Sequence, residues 1–212
     1  MSHDCCHAKG RDLEELAHHS DIRRVLVVVL MLNALMFVLE FGAGLAARSA
    51  SLMADSVDML GDALVFGISL FALRRSLRWR AGSALVKGGF ILLMGLGVLA
   101  EIAVKMVWDV PPATGIMLLF GGMALIANLS CLALLWPYRR HDVNLASTFE
   151  CARNDVVANL GVLAAAGLVM VTESAWPDVL VAAAIAFMFL RSSLRVIADA
   201  WPQYRSTLAP AE

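Results

Sequence analysis

Three aspartates in one apolar stretch are the residues best suited to chemistry in this sequence. Asp55, Asp58 and Asp62 lie within residues 51–73, a stretch otherwise apolar enough to cross a bilayer. At about 100° per residue, the three positions fall on one narrow stripe of a helix. A carboxylate at the bilayer centre costs about 2.5–3.5 kcal/mol, whereas each Leu, Ile, Phe or Val returns only about 0.3–0.6 kcal/mol. The stripe is therefore predicted to face other helices and to line a hydrophilic path or an ion site.

A second pair of candidate ligands, Cys151 and Asp155, lies four residues apart on another apolar stretch and so shares a helix face. With a rise of about 1.5 Å per residue and antiparallel helices, this pair and the pair Asp58 and Asp62 reach similar depths near the middle of the membrane. Three carboxylates and one thiol suit a tetrahedral divalent ion such as Zn²⁺ or Cd²⁺. In the alternative interpretation, the aspartates only form hydrogen bonds within a bundle and Cys151 is a small buried apolar residue.

The composition is that of an integral membrane protein. Of 212 residues, 60% are hydrophobic and 17% are charged, and the mean hydropathy is +0.74. A soluble domain has about 45–50% apolar and about 25% charged residues. Six apolar stretches of the length needed to span a bilayer predict an all-α protein of six transmembrane helices. These stretches cover roughly residues 25–46, 51–73, 84–107, 113–136, 145–171 and 178–199.

The distribution of arginine predicts the orientation of the chain. Arginines concentrate at alternate ends of the predicted spans, at positions Arg23, Arg24, Arg74, Arg75, Arg78, Arg80, Arg139, Arg140 and Arg205. By the positive-inside rule, both termini are cytoplasmic. The predicted organisation is a polar, disordered tail over residues 1–22, a transmembrane domain over 23–200 and a short cytoplasmic tail over 201–212. We expect no signal peptide, no disulfide framework from the four cysteines and no nucleic-acid partner.

The sequence SLMADSVDMLGD of residues 51–62, taken with the pair Cys151 and Asp155, resembles the cation diffusion facilitators. The resemblance covers about residues 25–200 and includes the first span with its Asn and Glu. It implies a six-helix homodimeric transporter that moves Zn²⁺ and related ions out of the cytoplasm in exchange for protons. The family's metal ligands carry over to Asp58, Asp62, Cys151 and Asp155. The usual histidine of the fifth span is Cys151 here, and the chain is expected to be a short form without the family's C-terminal cytoplasmic domain.

The function predicted from these observations is export of Zn²⁺, Cd²⁺ or both by proton-coupled alternating access. The metal is the transported substrate, protons are the counter-substrate, no prosthetic group is needed, and the chain is not an enzyme. The expected location is a cell membrane, and specifically a bacterial inner membrane. Export of Co²⁺, Ni²⁺, Fe²⁺ or Mn²⁺ is one alternative, and a membrane metal sensor is another. A third alternative is an aspartyl protease that uses Asp62 and Asp155 as its dyad.

Further polar residues are candidates for supporting roles. Asp55 either lies on the exit path, supports the metal ligands from outside the ligand set, or forms a hydrogen bond at a helix end. Glu40 either holds a proton, bonds across to the second span or only packs. The remaining candidates near the ligands are Asn154 and Asn159, which orient ligands or bridge helices, and Glu150, which is placed to pair with Arg153. Lys105 is expected to pair with Glu101 within its helix. In the N-terminal tail, His3, Cys5, Cys6 and His7 either capture metal or are disordered.

Overall fold

Six long helices make up the part of the protein that is described. The structure is a computed structural model, and it describes residues 20–72, 77–108, 110–138 and 143–206. The helices are α1 (Ser20–Ala47), α2 (Ala50–Ala72), α3 (Leu77–Trp108), α4 (Thr114–Leu135), α5 (Val143–Thr172) and α6 (Trp176–Ser206), with a 3-10 turn at Trp136–Tyr138. The predicted all-α architecture of six spans is confirmed. The tail residues His3, Cys5, Cys6 and His7 lie outside the described residues.

Helix α2 lies at the centre of the bundle. It contacts α1, α3, α6 and, over a shorter length, α5. None of its side chains between residues 50 and 67 is exposed. The other five helices are long and apolar enough to cross a membrane, and each presents large apolar side chains on its outer face, among them Leu35, Val86, Leu119, Leu168 and Phe187. As predicted, the helix that carries the aspartates is surrounded by protein instead of lipid.

Helices α3 and α6 pack against each other at very short range. A Cβ atom on Gly95 would collide with the Leu190 side chain, and one on Gly88 would lie 2.6 Å from the Ile197 Cγ1 atom. The Ser193 hydroxyl donates a hydrogen bond of 2.7 Å to the carbonyl oxygen of Gly88. Small residues and interhelical hydrogen bonds of this kind let membrane helices approach closely. The pair α3–α6 therefore forms one wall of the bundle beside α2.

A buried carboxylate, that of Asp178, connects three helices at one end of the bundle. This is the end where α1 ends and α2 begins, and the arginine pattern assigns it to the outside. Asp178, at the start of α6, accepts hydrogen bonds from the hydroxyls of Ser49 (2.7 Å) and Ser51 (2.6 Å). It also accepts from the backbone N–H groups of Ala50 (2.8 Å) and Ser51 (3.0 Å), and so caps the N-terminus of α2. The Lys105 ammonium lies 2.8 Å from Asp178 Oδ2. This Asp178 cluster joins α2, α3 and α6.

The expected pairing of Lys105 with Glu101 is wrong. The Lys105 ammonium donates to Asp178 on α6, and both side chains of that ion pair are almost completely buried. A buried ammonium is costly unless an opposite charge and hydrogen bonds offset its lost hydration, and Asp178 supplies both. Glu101, four residues away on α3, is partly exposed, so it is the weaker partner despite its favourable spacing.

Candidate metal-transport site

The four predicted ligands lie on the two helices expected to carry them. Asp58 and Asp62 are on α2, and Cys151 and Asp155 are on α5. Asp62 is buried, whereas Asp58 and Asp155 are half-buried. The Cys151 side chain is outside the described part of the structure. Among the side chains that are described, no three His, Cys, Asp or Glu residues form a group that could hold a metal ion. The four-ligand set accordingly stays a prediction.

Asp58 lines a narrow cavity between α2, α3 and α6. The polar part of its lining consists of Asp58, Lys87, Ser192 and Ser193. Lys87 is itself buried, at 8% exposure. A carboxylate and an ammonium thus share one cavity inside the bundle, next to the close packing of α3 and α6. Asp58 therefore shares a small cavity with Lys87, and the rest of its lining is largely apolar.

Asp55 faces a different set of neighbours. The Asn159 side-chain amide on α5 donates a short hydrogen bond to Asp55 Oδ2. The Asn128 amide on α4 donates in turn to Asn159 Oδ1 at 3.2 Å. The carboxyl group of Glu40 on α1 lies against that of Asp55. These four side chains, all buried, form a polar layer that links α1, α2, α4 and α5.

The polar layer shows what several of the candidate side chains contact. Asn159 bridges helices, and Asp55 bonds across to α5 instead of at its own helix end. Glu40 reaches α2, as one of its predicted roles required. Asn154 is exposed and takes no part in the layer, and the Glu150 side chain lies outside the described part.

Two members of these networks were not identified as functional from the sequence. Asn128 had no partner that spacing along the chain could reveal, because its hydrogen bond crosses to α5. Asp178 follows a Trp-Pro pair at the start of the last span, and a carboxylate in a first helical turn is commonplace. Its burial at 0% exposure would have distinguished it.

Replacing Asn159 by Leu should destabilise the bundle by about 2–4 kcal/mol, because the buried Asp55 carboxylate loses the Asn159 donor and the Asn128 amide loses its acceptor. The measurement is thermal unfolding of the purified protein in detergent. The matched control is Asn154→Leu, which makes the same change on an exposed face of α5 and should leave the midpoint almost unchanged. Equal midpoints for Asn159→Leu and the native protein would contradict the structural role of the polar layer.

A bundle of six membrane helices with acids and amides buried around its central helix is the architecture of a polytopic ion transporter, since intramembrane ionisable groups mark ion pathways. The comparison with known families agrees: the chain belongs to the cation efflux transmembrane domain family, whose profile matches residues 26–203. It is thus a multi-pass membrane protein of a transporter family and not an enzyme. No protease assignment is supported.

Individual relatives are distant. The metal cation efflux system protein CzcD of Cupriavidus metallidurans is 24% identical over 205 residues, which cover 87% of this chain and 65% of the relative. The cadmium, cobalt and zinc/H(+)-K(+) antiporter of Bacillus subtilis is 22% identical over 193 residues, covering 84% of this chain and 61% of the relative. Metal tolerance protein A2 of Arabidopsis thaliana is 33% identical over 101 residues, 48% of this chain and 24% of the relative. The chain spans less than two thirds of the length of these relatives.

Proposed function

We propose that this chain exports a divalent metal cation, Zn²⁺ or Cd²⁺, from the cytoplasm in exchange for protons. The observation that carries the proposal is the position of Asp58 and Asp62 on α2. No side chain of this helix is exposed between residues 50 and 67. Placing acids within a membrane-spanning bundle costs considerable free energy, so such residues usually have a function. A pathway for cations would account for them here. Membership of the cation efflux family gives independent support. The bacterial relatives, two of which are named for cation efflux or antiport, favour a bacterial inner membrane as the location.

The proposed cycle is alternating access around Asp58, Asp62, Cys151 and Asp155. With the site open to the cytoplasm, the ligands lose protons and bind the metal, because thiolate and carboxylate bind metal only when deprotonated. With the site open to the outside, protons displace the metal, and the neutral site returns at lower electrostatic cost. A thiolate makes the site softer than an all-oxygen one, which favours Zn²⁺ and Cd²⁺ over Mn²⁺.

The end of the bundle assigned to the outside holds both a packed core and a partly open cavity, whose lining includes Arg48, Glu101, Lys105 and Trp108. Beyond Asp55, towards the end assigned to the outside, the core consists of buried apolar residues that include Leu52, Val98 and Met117. The Asp178 cluster lies past them and joins three helices. As in the resemblance drawn from the sequence, we propose that the transporter acts as a homodimer through its membrane helices.

The decisive experiment measures metal uptake into proteoliposomes with an imposed pH gradient, comparing Zn²⁺, Cd²⁺, Co²⁺, Ni²⁺, Fe²⁺ and Mn²⁺. The native protein should transport Zn²⁺ or Cd²⁺ at a rate that depends on the gradient. Replacing Cys151 by His should lower the preference for Cd²⁺ over Zn²⁺ by about tenfold or more, because a nitrogen ligand is less soft than sulfur. An unchanged ratio of Cd²⁺ to Zn²⁺ transport would remove Cys151 from the ligand set. Binding of metal without flux of any ion would favour the sensor alternative.

A further inference from the structure

Glu40 is buried without a hydrogen-bond donor. Its side chain is completely enclosed, at 0% exposure, seven residues before the end of α1. Neither of its carboxyl oxygens receives a hydrogen bond from the part of the chain that the structure describes. An ionised carboxylate in such a place would be strongly disfavoured, because burial removes its hydration and nothing replaces it.

The group that Glu40 does meet is another carboxyl group. The Asp55 side chain, at 2% exposure, lies against it, and Asp55 already accepts from the Asn159 amide. Two carboxylates in contact repel each other unless a cation lies between them, whereas one proton shared by the pair turns the repulsion into a hydrogen bond.

The ionisable groups around the pair supply no positive charge. Few ionisable side chains lie within four residues of a member of the polar layer, along its own helix. Besides Glu40 and Asp55, these are two acids, Asp58 on α2 and Asp155 on α5, and one thiol, Cys131 on α4. Cys131 lies beside Asn33, two turns of α1 from Glu40. On the helices that pack against α2 from the other side, Lys105 is bound to Asp178 and Lys87 lines the Asp58 cavity.

A proton fits this place better than a metal ion does. Among the described residues, Glu40 and Asp55 belong to no group of three His, Cys, Asp or Glu side chains that could hold a metal ion. A metal ion would need space and further oxygen, nitrogen or sulfur ligands, whereas Asn159 presents the donor end of its amide to Asp55. A proton needs no space and completes the hydrogen bonding of Glu40.

We propose that Glu40 holds a proton, which it donates to Asp55, and that metal binding to Asp58 and Asp62 releases this proton. The coupling half of the proposal rests on the proposed transport function. The charge of Asp58 acts on Asp55 across one turn of α2. While Asp58 is ionised and empty, its negative charge favours the proton on the pair. A divalent cation bound to Asp58 and Asp62 offsets their negative charge, so the pair holds its proton less tightly. The Glu40 O–H bond breaks, the proton passes to water on the open side, and the nearby cation offsets the repulsion between the two carboxylates that remain.

The first test is Glu40→Gln, in which the side-chain amide can donate to Asp55 in place of the O–H group, so that the fold is retained. The matched control is Glu101→Gln, the same change on a partly exposed residue of α3. Infrared spectra of the metal-free native protein and of metal-free Glu101→Gln should show the C=O stretching band of a protonated carboxylic acid. The spectrum of metal-free Glu40→Gln should lack this band. Persistence of the full band in Glu40→Gln would overturn the assignment of the proton to Glu40.

The second test counts the protons released when Zn²⁺ or Cd²⁺ is added to the purified transporter in weak buffer. Glu40→Gln should still bind metal but release about one proton fewer per ion than the native protein and Glu101→Gln do. Equal proton release by Glu40→Gln and the native protein would overturn the coupling. If the native protein bound no metal, the proposed function would fail and the coupling with it, while the infrared band would still decide whether Glu40 holds a proton.

Discussion

Replacing Asp178 by Ala should destabilise the bundle by about 3–5 kcal/mol, because the substitution leaves the Lys105 ammonium buried without its counter-charge. Lys105 is only 3% exposed, and its ammonium lies 2.8 Å from Asp178 Oδ2. The change also removes the acceptor for the hydroxyls of Ser49 and Ser51 and for the N–H groups that begin α2. Loss of an N-terminal cap alone costs about 0.5–2 kcal/mol.

The measurement is thermal or denaturant unfolding in detergent, extended to a double-mutant cycle with Lys105→Met. The double variant should be more stable than Asp178→Ala alone, because it removes the unpaired ammonium and fills the space with an apolar side chain. Glu173→Ala, an exposed change in the loop just before α6, is the control and should have little effect. If Asp178→Ala and the double variant were equally unstable, the buried charge would not be the cause.

The helices were predictable because the signals that define them are local. A run of about 20 apolar residues specifies a membrane span wherever it occurs, and α2 was correctly placed inside because lipid cannot solvate its three aspartates. The partners of Asp178 were not predictable. Ser49, Ser51 and Lys105 lie more than 70 residues earlier in the chain, and no periodicity connects them to α6. Spacing suggested Glu101 for Lys105, but burial decided the pairing.

The acids of α2 illustrate the same limit at the site itself. Their depth along the helix follows from a rise of about 1.5 Å per residue, but the direction in which each one points depends on the packing of the neighbouring helices. Asp55 and Asp58 differ by about 60° around the helix axis. That difference directs Asp55 towards Glu40 and Asn159, and Asp58 into the cavity beside Lys87. From the sequence alone, the three aspartates are expected to share one environment. In the structure, Asp55 belongs to the polar layer and Asp58 lines the cavity with Lys87.

Replacing Asp62 by Asn should reduce metal transport by about 100-fold or more. Loss of residues that only support a ligand already costs about 10–100-fold in metal affinity, and Asp62 is predicted to bind the metal directly. Asn has nearly the same volume as Asp, so the bundle should fold, but its neutral amide neither balances the charge of the ion nor releases a proton when metal binds. The measurement is the initial rate of Zn²⁺ or Cd²⁺ uptake into proteoliposomes at fixed protein content, with thermal unfolding as the check on folding.

Two further variants separate the loss of a ligand from a general change of charge in the bundle. Asp62→Glu restores the carboxylate one methylene further out, so it should recover part of the transport if the carboxylate binds metal. Glu101→Gln removes a carboxylate from α3, outside the predicted ligand set, and should transport like the native protein. A folded Asp62→Asn variant with native rates would show that the ion crosses without this carboxylate. In that case the buried acid would serve packing alone, and the cost of keeping it in the membrane core would be unexplained.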